Sequence, residues 1–328
     1  MSTVDACCPN LCSLRAPFLC NPTTRWPIDH VSAIINVWGR TTMDTVARTI
    51  RSIEIDAAGA ARAANAIEEL YNDTLDVVVA RQAFSREPLA SAGDELDRTD
   101  RDPGWARPNE KMPVEDIQIL GTHTPATPTY QAPRGASLDA YLDSTARHRA
   151  EANSAFAASF DPVGEIERVL GRFSGGRPIV LPRAADGRSY APLTLRRLAD
   201  GKQIGIHHDY HYPLDLYSEL KSEVDTRTLV SWVVTLRKPT TGGELFVYGV
   251  TPDTPNAPKM PNGFQWDLEK IEQQFDVASF AMEVGDLFLL ASGRCLHRVN
   301  RIGGPQSRVT MGGFLAMDKN RSRVLYWS

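Results

Sequence analysis

No run of about 18 consecutive apolar residues occurs in this chain, so no helix in it is expected to span a bilayer. Neither sign of charge dominates: 36 Lys and Arg stand against 40 Asp and Glu, a formal net charge of −4. There is no basic stripe, which removes the electrostatic footprint expected of a nucleic-acid-binding surface. Cysteine is scarce, with five in 328 residues. Four of the five, Cys7, Cys8, Cys12 and Cys20, crowd the start of the chain. That segment has neither a basic opening nor a continuous apolar stretch, so it does not read as a secretory signal, and the protein is expected in the cytoplasm. A disulfide framework belongs to small secreted chains, and the spacing fits no common zinc pattern. The four thiols therefore read as structural or incidental. Cys295 reads as a small buried apolar residue. Internal repeats are absent as well.

What is present is ordinary globular material, 42% hydrophobic and 23% charged. Its length allows one large domain or two smaller ones. Residues 1–188 read as a mainly helical region. Thr42 can cap a helix running through Val46, Ile50 and Ile53. An alanine-rich stretch from Ala57 to Tyr71 continues the helical character. Residues 86–135 are polar and rich in Pro and Asp, and read as a long surface connection. Helical pattern returns from Leu138 to about Phe160. Asp161 followed by Pro162 is a start signal for the next helix, whose apolar face is Val163, Ile166, Leu170 and Phe173.

From Ser189 the texture changes. Short apolar runs alternate with turn residues: Leu193–Leu198, Ile204–His208, Thr228–Leu236, Glu244–Tyr248, Asp286–Leu290, Leu296–Val299 and Arg308–Ala316. Many short strands with Gly- and Pro-rich breaks predict a jelly-roll or barrel. Residues 189–328 thus form the expected core, and 249–276 reads as a lid-like insert at its mouth.

The chemistry-bearing residues lie in this half. His207 and Asp209 stand two apart in Gly-Ile-His-His-Asp, so on a strand they share a face and His208 points away. His297 follows much later, in Cys-Leu-His-Arg, and must come from another strand. Two imidazoles and a carboxylate make the facial triad that binds Fe(II) and leaves open positions. Arg308 can clamp a dicarboxylate through a bidentate contact, and Thr310 shares its face. The set predicts an iron enzyme that uses 2-oxoglutarate and O2, with His207, Asp209 and His297 as metal ligands and catalytic residues.

Tyr190 to Asp209 (YAPLTLRRLADGKQIGIHHD) and Ser292 to Ser328 (SGRCLHRVNRIGGPQSRVTMGGFLAMDKNRSRVLYWS) resemble the non-haem iron, 2-oxoglutarate-dependent oxygenases. They look closest to the carrier-independent alkaloid halogenases of the welwitindolinone type. The internal Gly-Gly-Glu-Leu at 242–245 and the closing Gly-Gly-Phe-Leu-Ala and Tyr-Trp-Ser fit that branch. The resemblance implies an α+β chain with a double-stranded β-helix (jelly-roll) core and supporting N-terminal helices. It also implies iron on His207, Asp209 and His297, the far carboxylate of 2-oxoglutarate on Arg308, and the Thr310 hydroxyl as a partner for that carboxylate. One position departs. The halogenases carry glycine or alanine where this chain has Asp209, and chloride takes the vacated iron site. A carboxylate there implies a hydroxylase-type member of the branch, oxidising an unactivated C–H bond with release of succinate and CO2.

Two other classes stay open on residues alone: a cupin-like hydrolase or isomerase with another metal, and a non-catalytic jelly-roll binding module. The expected partner is a free small molecule, a natural product or an amino-acid derivative. Tyr248, Phe264 and Trp266 are candidates to line its pocket. Arg196 and Arg197 are candidates to meet an acidic group, and His211 is a candidate substrate-side group.

Overall fold

The computed structural model describes residues 48–56, 59–98, 118–120, 138–209, 218–224, 229–261, 263 and 265–328. In chain order the elements are β1 (Ser52–Ile55), α1 (Ala66–Tyr71), β2 (Val77–Ala80), α2 (Arg86–Asp97), β3 (Gln118–Leu120), α3 (Leu138–Ser154), α4 (Pro162–Gly171), β4 (Ile179–Val180), β5 (Thr194–Leu198), β6 (Ile204–His207), α5 (Ser218–Glu223), β7 (Val230–Arg237), β8 (Leu245–Tyr248), α6 (Leu268–Gln274), β9 (Val277–Phe280), β10 (Leu287–Leu290), β11 (His297–Val299), β12 (Arg308–Met317) and β13 (Val324–Trp327). No helix among the described residues is long and apolar enough to cross a membrane.

The strands form two sheets of a jelly-roll. The larger has nine strands, in the order β1-β2-β10-β7-β12-β13-β4, with β5 on the free part of β12 and β3 on β5. The smaller has four, in the order β6-β11-β8-β9. The long β12 organises the large sheet: β7 runs along one edge, while β5 and β13 divide the other. Residues directly opposite in antiparallel strands share a face. Register therefore puts Arg308, Thr310, Gly312 and Phe314 of β12 on one face with Arg196 of β5 and Ser231, Val233 and Thr235 of β7. This is the inner face, where Phe288 of the large sheet meets Phe280 of the small one, ring centroids 5.4 Å apart. The opposite face of β12, with Val309, Met311 and Leu315, packs into the main apolar core with Leu70, Leu89 and Ile166. Gly313 is a point of close approach between β12 and its neighbours. A Cβ there would stand 2.4 Å from the Trp327 carbonyl oxygen and 3.0 Å from the Trp232 ring. Any larger residue would push β13 and β7 off β12.

Several elements differ from the sequence expectation. Ile50 and Ile53 are not on a helix: Ile53 lies in β1, which pairs in parallel with β2. Thr42 and Val46 lie outside the described residues, as do the four early cysteines. The stretch read as a surface connection opens with a full helix, α2. Its buried residues Leu89, Ala92, Gly93 and Leu96 follow helical spacing, and α2 packs on β7. Pro88 is tolerated because it falls in the first turn, where no backbone N–H partner is lost. The helical stretch expected to reach Phe160 ends at Ser154. Asp161 caps α4, accepting from the Val163 backbone N–H at 3.1 Å. The region before residue 189 also supplies β1, β2, β3 and β4 to the large sheet, in addition to its helices. All described residues belong to one unit, Thr45–Ser328.

One buried charge ties the early strands to the core. Asp286, fully buried, accepts from Arg81 Nη1 at 2.6 Å and from the backbone N–H groups of Gln82 and Glu283, both at 2.9 Å. Asp286→Ala would strip three donors of their acceptor at once and is expected to cost roughly 3 kcal/mol. The drop in the urea unfolding midpoint measures it; an unmoved midpoint would show that this hub carries no weight.

Candidate metal centre

Three side chains converge between the two sheets. β6 ends on His207 and β11 opens on His297, directly opposite one another in the ladder. Their ring centroids are 4.2 Å apart. Each Nδ1 faces the carbonyl two residues back on its own strand: Gly205 at 2.8 Å for His207, Cys295 at 2.9 Å for His297. That contact places the ring proton on Nδ1 and leaves the Nε2 lone pair of each ring for a ligand bond.

Asp209 lies just past the end of β6, so strand pairing does not aim it. Its backbone N–H donates to the Ser292 carbonyl at 2.8 Å. The Ser231 hydroxyl donates to Asp209 Oδ2 at 2.6 Å and lies 2.6 Å from the Ser292 hydroxyl. Asp209 Oδ1 is 3.8 Å from His207 Nε2, and Oδ2 is 4.0 Å from His297 Nε2. One ligand atom from each of the three residues lies within 4.8 Å of the others. The Asp209 oxygens, 3.8 and 4.0 Å from the two Nε2 atoms, stand within reach of one divalent ion bonded at about 2.1 Å to each donor. Two neutral nitrogens and one carboxylate oxygen make the donor set suited to Fe(II).

The electrostatics favour ligands over free titrating groups. Burial, with His207 alongside, pushes the His297 imidazole down to about 4, so it is a neutral donor. For Asp209, burial opposes ionisation. The imidazoles of His297 and His207 and the Ser231 hydroxyl outweigh it and hold the carboxyl below its usual range. His208 turns to the opposite face, its ring 6.1 Å from that of Trp266.

Arg308 and Thr310 lie at the start of β12 on the inner face. Arg308 is 6% exposed, and no hydrogen bond or ion pair reaches its guanidinium among the described residues. Burial, with the charge of Arg196 nearby, pulls it down to about 10. A buried, unpaired cation is costly unless an anion completes it, and a dianionic ligand with a carboxylate at its far end fits that demand. Gly243 shapes the approach. It sits at φ +79°, and a Cβ there would stand 3.2 Å from Arg308 Cδ.

The structure also sorts the other candidates. Arg197 faces away from the inner face, bonded to Asp97, Gln118 and Ser307. Tyr248 and Trp266 belong to a separate apolar cluster with Ile206, Phe246 and Ile271, on the outside of the small sheet. They do not line the interior. Phe264 and His211 lie outside the described residues. The part of 249–276 that forms α6 is anchored, with Ile271 buried and Glu272 bonded to Tyr248 at 2.9 Å and Arg298 at 3.1 Å. Cys295 is buried, and burial lifts its thiol to about 12. Sequence reasoning missed Ser231 and Ser292, which hold Asp209. The available signal was Ser231 and Thr235 at alternating positions in the otherwise apolar β7, which marks a strand face turned toward something polar.

Residues 49–328 match the family described as carrier-protein-independent halogenase WelO5. No curated protein matches the chain. Among solved structures it is similar to an N-substituted L-amino acid dioxygenase from Burkholderia ambifaria in complex with alpha-ketoglutarate, at 14% identity, 80% coverage of this chain and 90% of that one, TM-score 0.48. It is also similar to a prolyl-4-hydroxylase from Pseudomonas putida, at 16% identity, with 78% and 97% covered, TM-score 0.39. A third is the epimerase SnoN from nogalamycin biosynthesis, in complex with Fe3+ and alpha-ketoglutarate, at 12% identity, with 76% and 82% covered, TM-score 0.43.

Proposed function

Because this chain belongs to the carrier-protein-independent halogenase WelO5 family, whose members are 2-oxoglutarate-dependent Fe(II) oxygenases, we propose that it hydroxylates, rather than halogenates, a free small molecule. The observation that carries this reading is the Asp209 carboxylate, converging with His207 and His297 and locked by the Ser231 hydroxyl. His207, Asp209 and His297 hold the iron. Asp209 fills the position that the halogenases leave to a halide. Fe(II) and 2-oxoglutarate, when bound, supply the O2 activation that oxidises a C–H bond, with release of succinate and CO2.

The chain's own residues do the holding. The Gly205 and Cys295 carbonyls keep each imidazole's Nε2 turned to the ion. Ser231 orients the carboxylate. Arg308 and Thr310 anchor the far carboxylate of 2-oxoglutarate, and the inner-face apolar residues, Phe280 and Phe288 among them, exclude water from the interior. A cupin-like hydrolase has no use for a buried guanidinium at this place, so Arg308 favours the oxygenase. The substrate we infer is a natural product or an amino-acid derivative. Incubation of the Fe(II)-loaded protein with 2-oxoglutarate, O2 and a library of such compounds, followed by succinate release, tests the reading. Stimulation that needs Fe(II) and 2-oxoglutarate together supports it; turnover with Zn(II) alone would overturn it.

Arg308→Lys keeps the charge but loses the planar fork. The apparent KM for 2-oxoglutarate is expected to rise about tenfold, the worth of one charge-assisted hydrogen bond. An unchanged KM would remove Arg308 from the site.

A further inference from the structure

The loop 291–296, which joins β10 to β11, carries the supports of Asp209 and His297. The Ser292 carbonyl accepts from the Asp209 backbone N–H at 2.8 Å, and the Cys295 carbonyl faces His297 Nδ1 at 2.9 Å. The Ser292 hydroxyl stands 2.6 Å from that of Ser231, which donates to the Asp209 carboxylate. A shift of this loop moves the backbone seat of Asp209 and the ring of His297 together. His207 rests instead on its own strand, through Gly205.

The loop is itself held from behind by the end of α1 and the segment that leads into β2. Arg294 reaches out of the loop to that segment. Its Nη1 donates to the Leu70 carbonyl at 3.0 Å, and its Nη2 donates to the Leu75 carbonyl at 2.7 Å and to Asp76 Oδ1 at 3.3 Å. The Cys295 thiol donates to the same Asp76 oxygen at 3.6 Å, and the Ala291 backbone N–H donates to the Asp76 carbonyl at 3.0 Å. Asp76 is buried, so these contacts converge on a fixed post.

Charge balance does not account for Arg294. Asp73 and Asp76 each pair with Arg48 and with Arg51. Two carboxylates are thus met by two guanidiniums before Arg294 joins them. A third cation in a part-buried cluster adds desolvation and like-charge repulsion. What Arg294 alone supplies is a planar fork that ties the loop to two backbone carbonyls and so fixes its direction. Groups that hold a metal ligand from outside set its orientation, and a displacement of about 1 Å at a reacting centre costs about 100-fold.

We propose that Arg294 is a positioning residue for the metal centre: by tying the 291–296 loop to the Leu70 and Leu75 carbonyls and to Asp76, it sets where Asp209 and His297 meet the ion. The inference rests on the iron-centre reading above and adds a residue that touches neither ion nor substrate.

The test titrates full-length protein with Co(II), well below the melting temperature. The visible absorption of Co(II) reports the geometry around the ion, and thermal melts read the metal-free protein. Wild type is compared with Arg294→Gln, with Arg294→Lys and with Asp286→Ala, which breaks bonds at the opposite end of β10. In Arg294→Gln, Co(II) affinity is expected to weaken about tenfold, the low end for loss of a ligand's outer partner, and the Co(II) band shifts. Arg294→Lys keeps the charge without the fork and falls between the two. Asp286→Ala lowers the melt but keeps wild-type affinity and band. If Arg294→Gln lowers the melt yet binds Co(II) with wild-type affinity and band, Arg294 is structural only, and the role fails while the metal centre stands. If Asp286→Ala weakens Co(II) as much, the effect is general loosening and the role fails too. Should Arg294→Gln not fold, Arg294→Lys decides by the same readouts, and wild-type affinity and band there overturn the role. If wild type itself binds no Co(II), the iron-centre reading fails and takes this inference with it.

Discussion

Alanine at position 297 abolishes Fe(II)-dependent succinate release and weakens metal binding at least ~100-fold. Loss of an outer partner of a ligand already costs 10- to 100-fold at metal sites, and loss of a ligand itself costs more. His297 is the more committed of the two imidazoles: it is buried, neutral and held by the Cys295 carbonyl, whereas His207 is about one third exposed. Without His297, the ion keeps His207 and Asp209 as protein donors, which come from one short segment and approach from one side. Co(II) titration and succinate assays read the two losses separately. The metal-free melt should move little, because the ring is uncharged and makes one side-chain hydrogen bond. Undiminished turnover in this variant would overturn the ligand assignment.

Glycine at position 209 gives the second large effect, a change of outcome as well as of rate. The variant is expected to lose hydroxylation at least ~100-fold, because the only anionic donor of the centre among the described residues is removed. It also frees the Ser231 hydroxyl from the carboxylate and leaves it beside the Ser292 hydroxyl, 2.6 Å away, at the vacated position. A positive ion with hydroxyl donors beside it is a halide site. Chlorinated product is expected in chloride buffer, identified by its isotope pattern, and none in chloride-free buffer. Wild-type hydroxylation retained in full would place Asp209 outside the centre.

The site's charged members were legible in the sequence because their types are costly to bury without purpose: a His-x-Asp, a distant histidine and an arginine, each inside an apolar run. Their surroundings were not. Ser231 and Ser292 are small hydroxyl residues that occur anywhere, and only the folded chain brings both beside Asp209. Tyr248 and Trp266 misled because a strand alternates. Val247 points inward and Tyr248 outward, and nothing in the sequence labels the two sides of a sheet that is covered on both. The strand-rich half announced itself by turns and β-branched runs. Val77–Ala80 did not, because it is a single apolar run buried on both faces, without alternation to betray it. Arg86–Asp97 was hidden by its composition: Glu87 and Pro88, which suggest a loop, sit in its first turn, and Asp94 lies on its exposed side.

The pairing of Val77–Ala80 with Leu287–Leu290 bears on how this protein could be divided. A fragment starting at residue 189 would keep every proposed iron ligand, yet it would strip the cover from an apolar strand whose four residues are all buried. That strand would become a bare border of unsatisfied N–H and C=O groups, a template for other chains. The catalytic half is therefore not an autonomous module, and recombination that exchanges the first part of such a chain must carry a matching border strand with it.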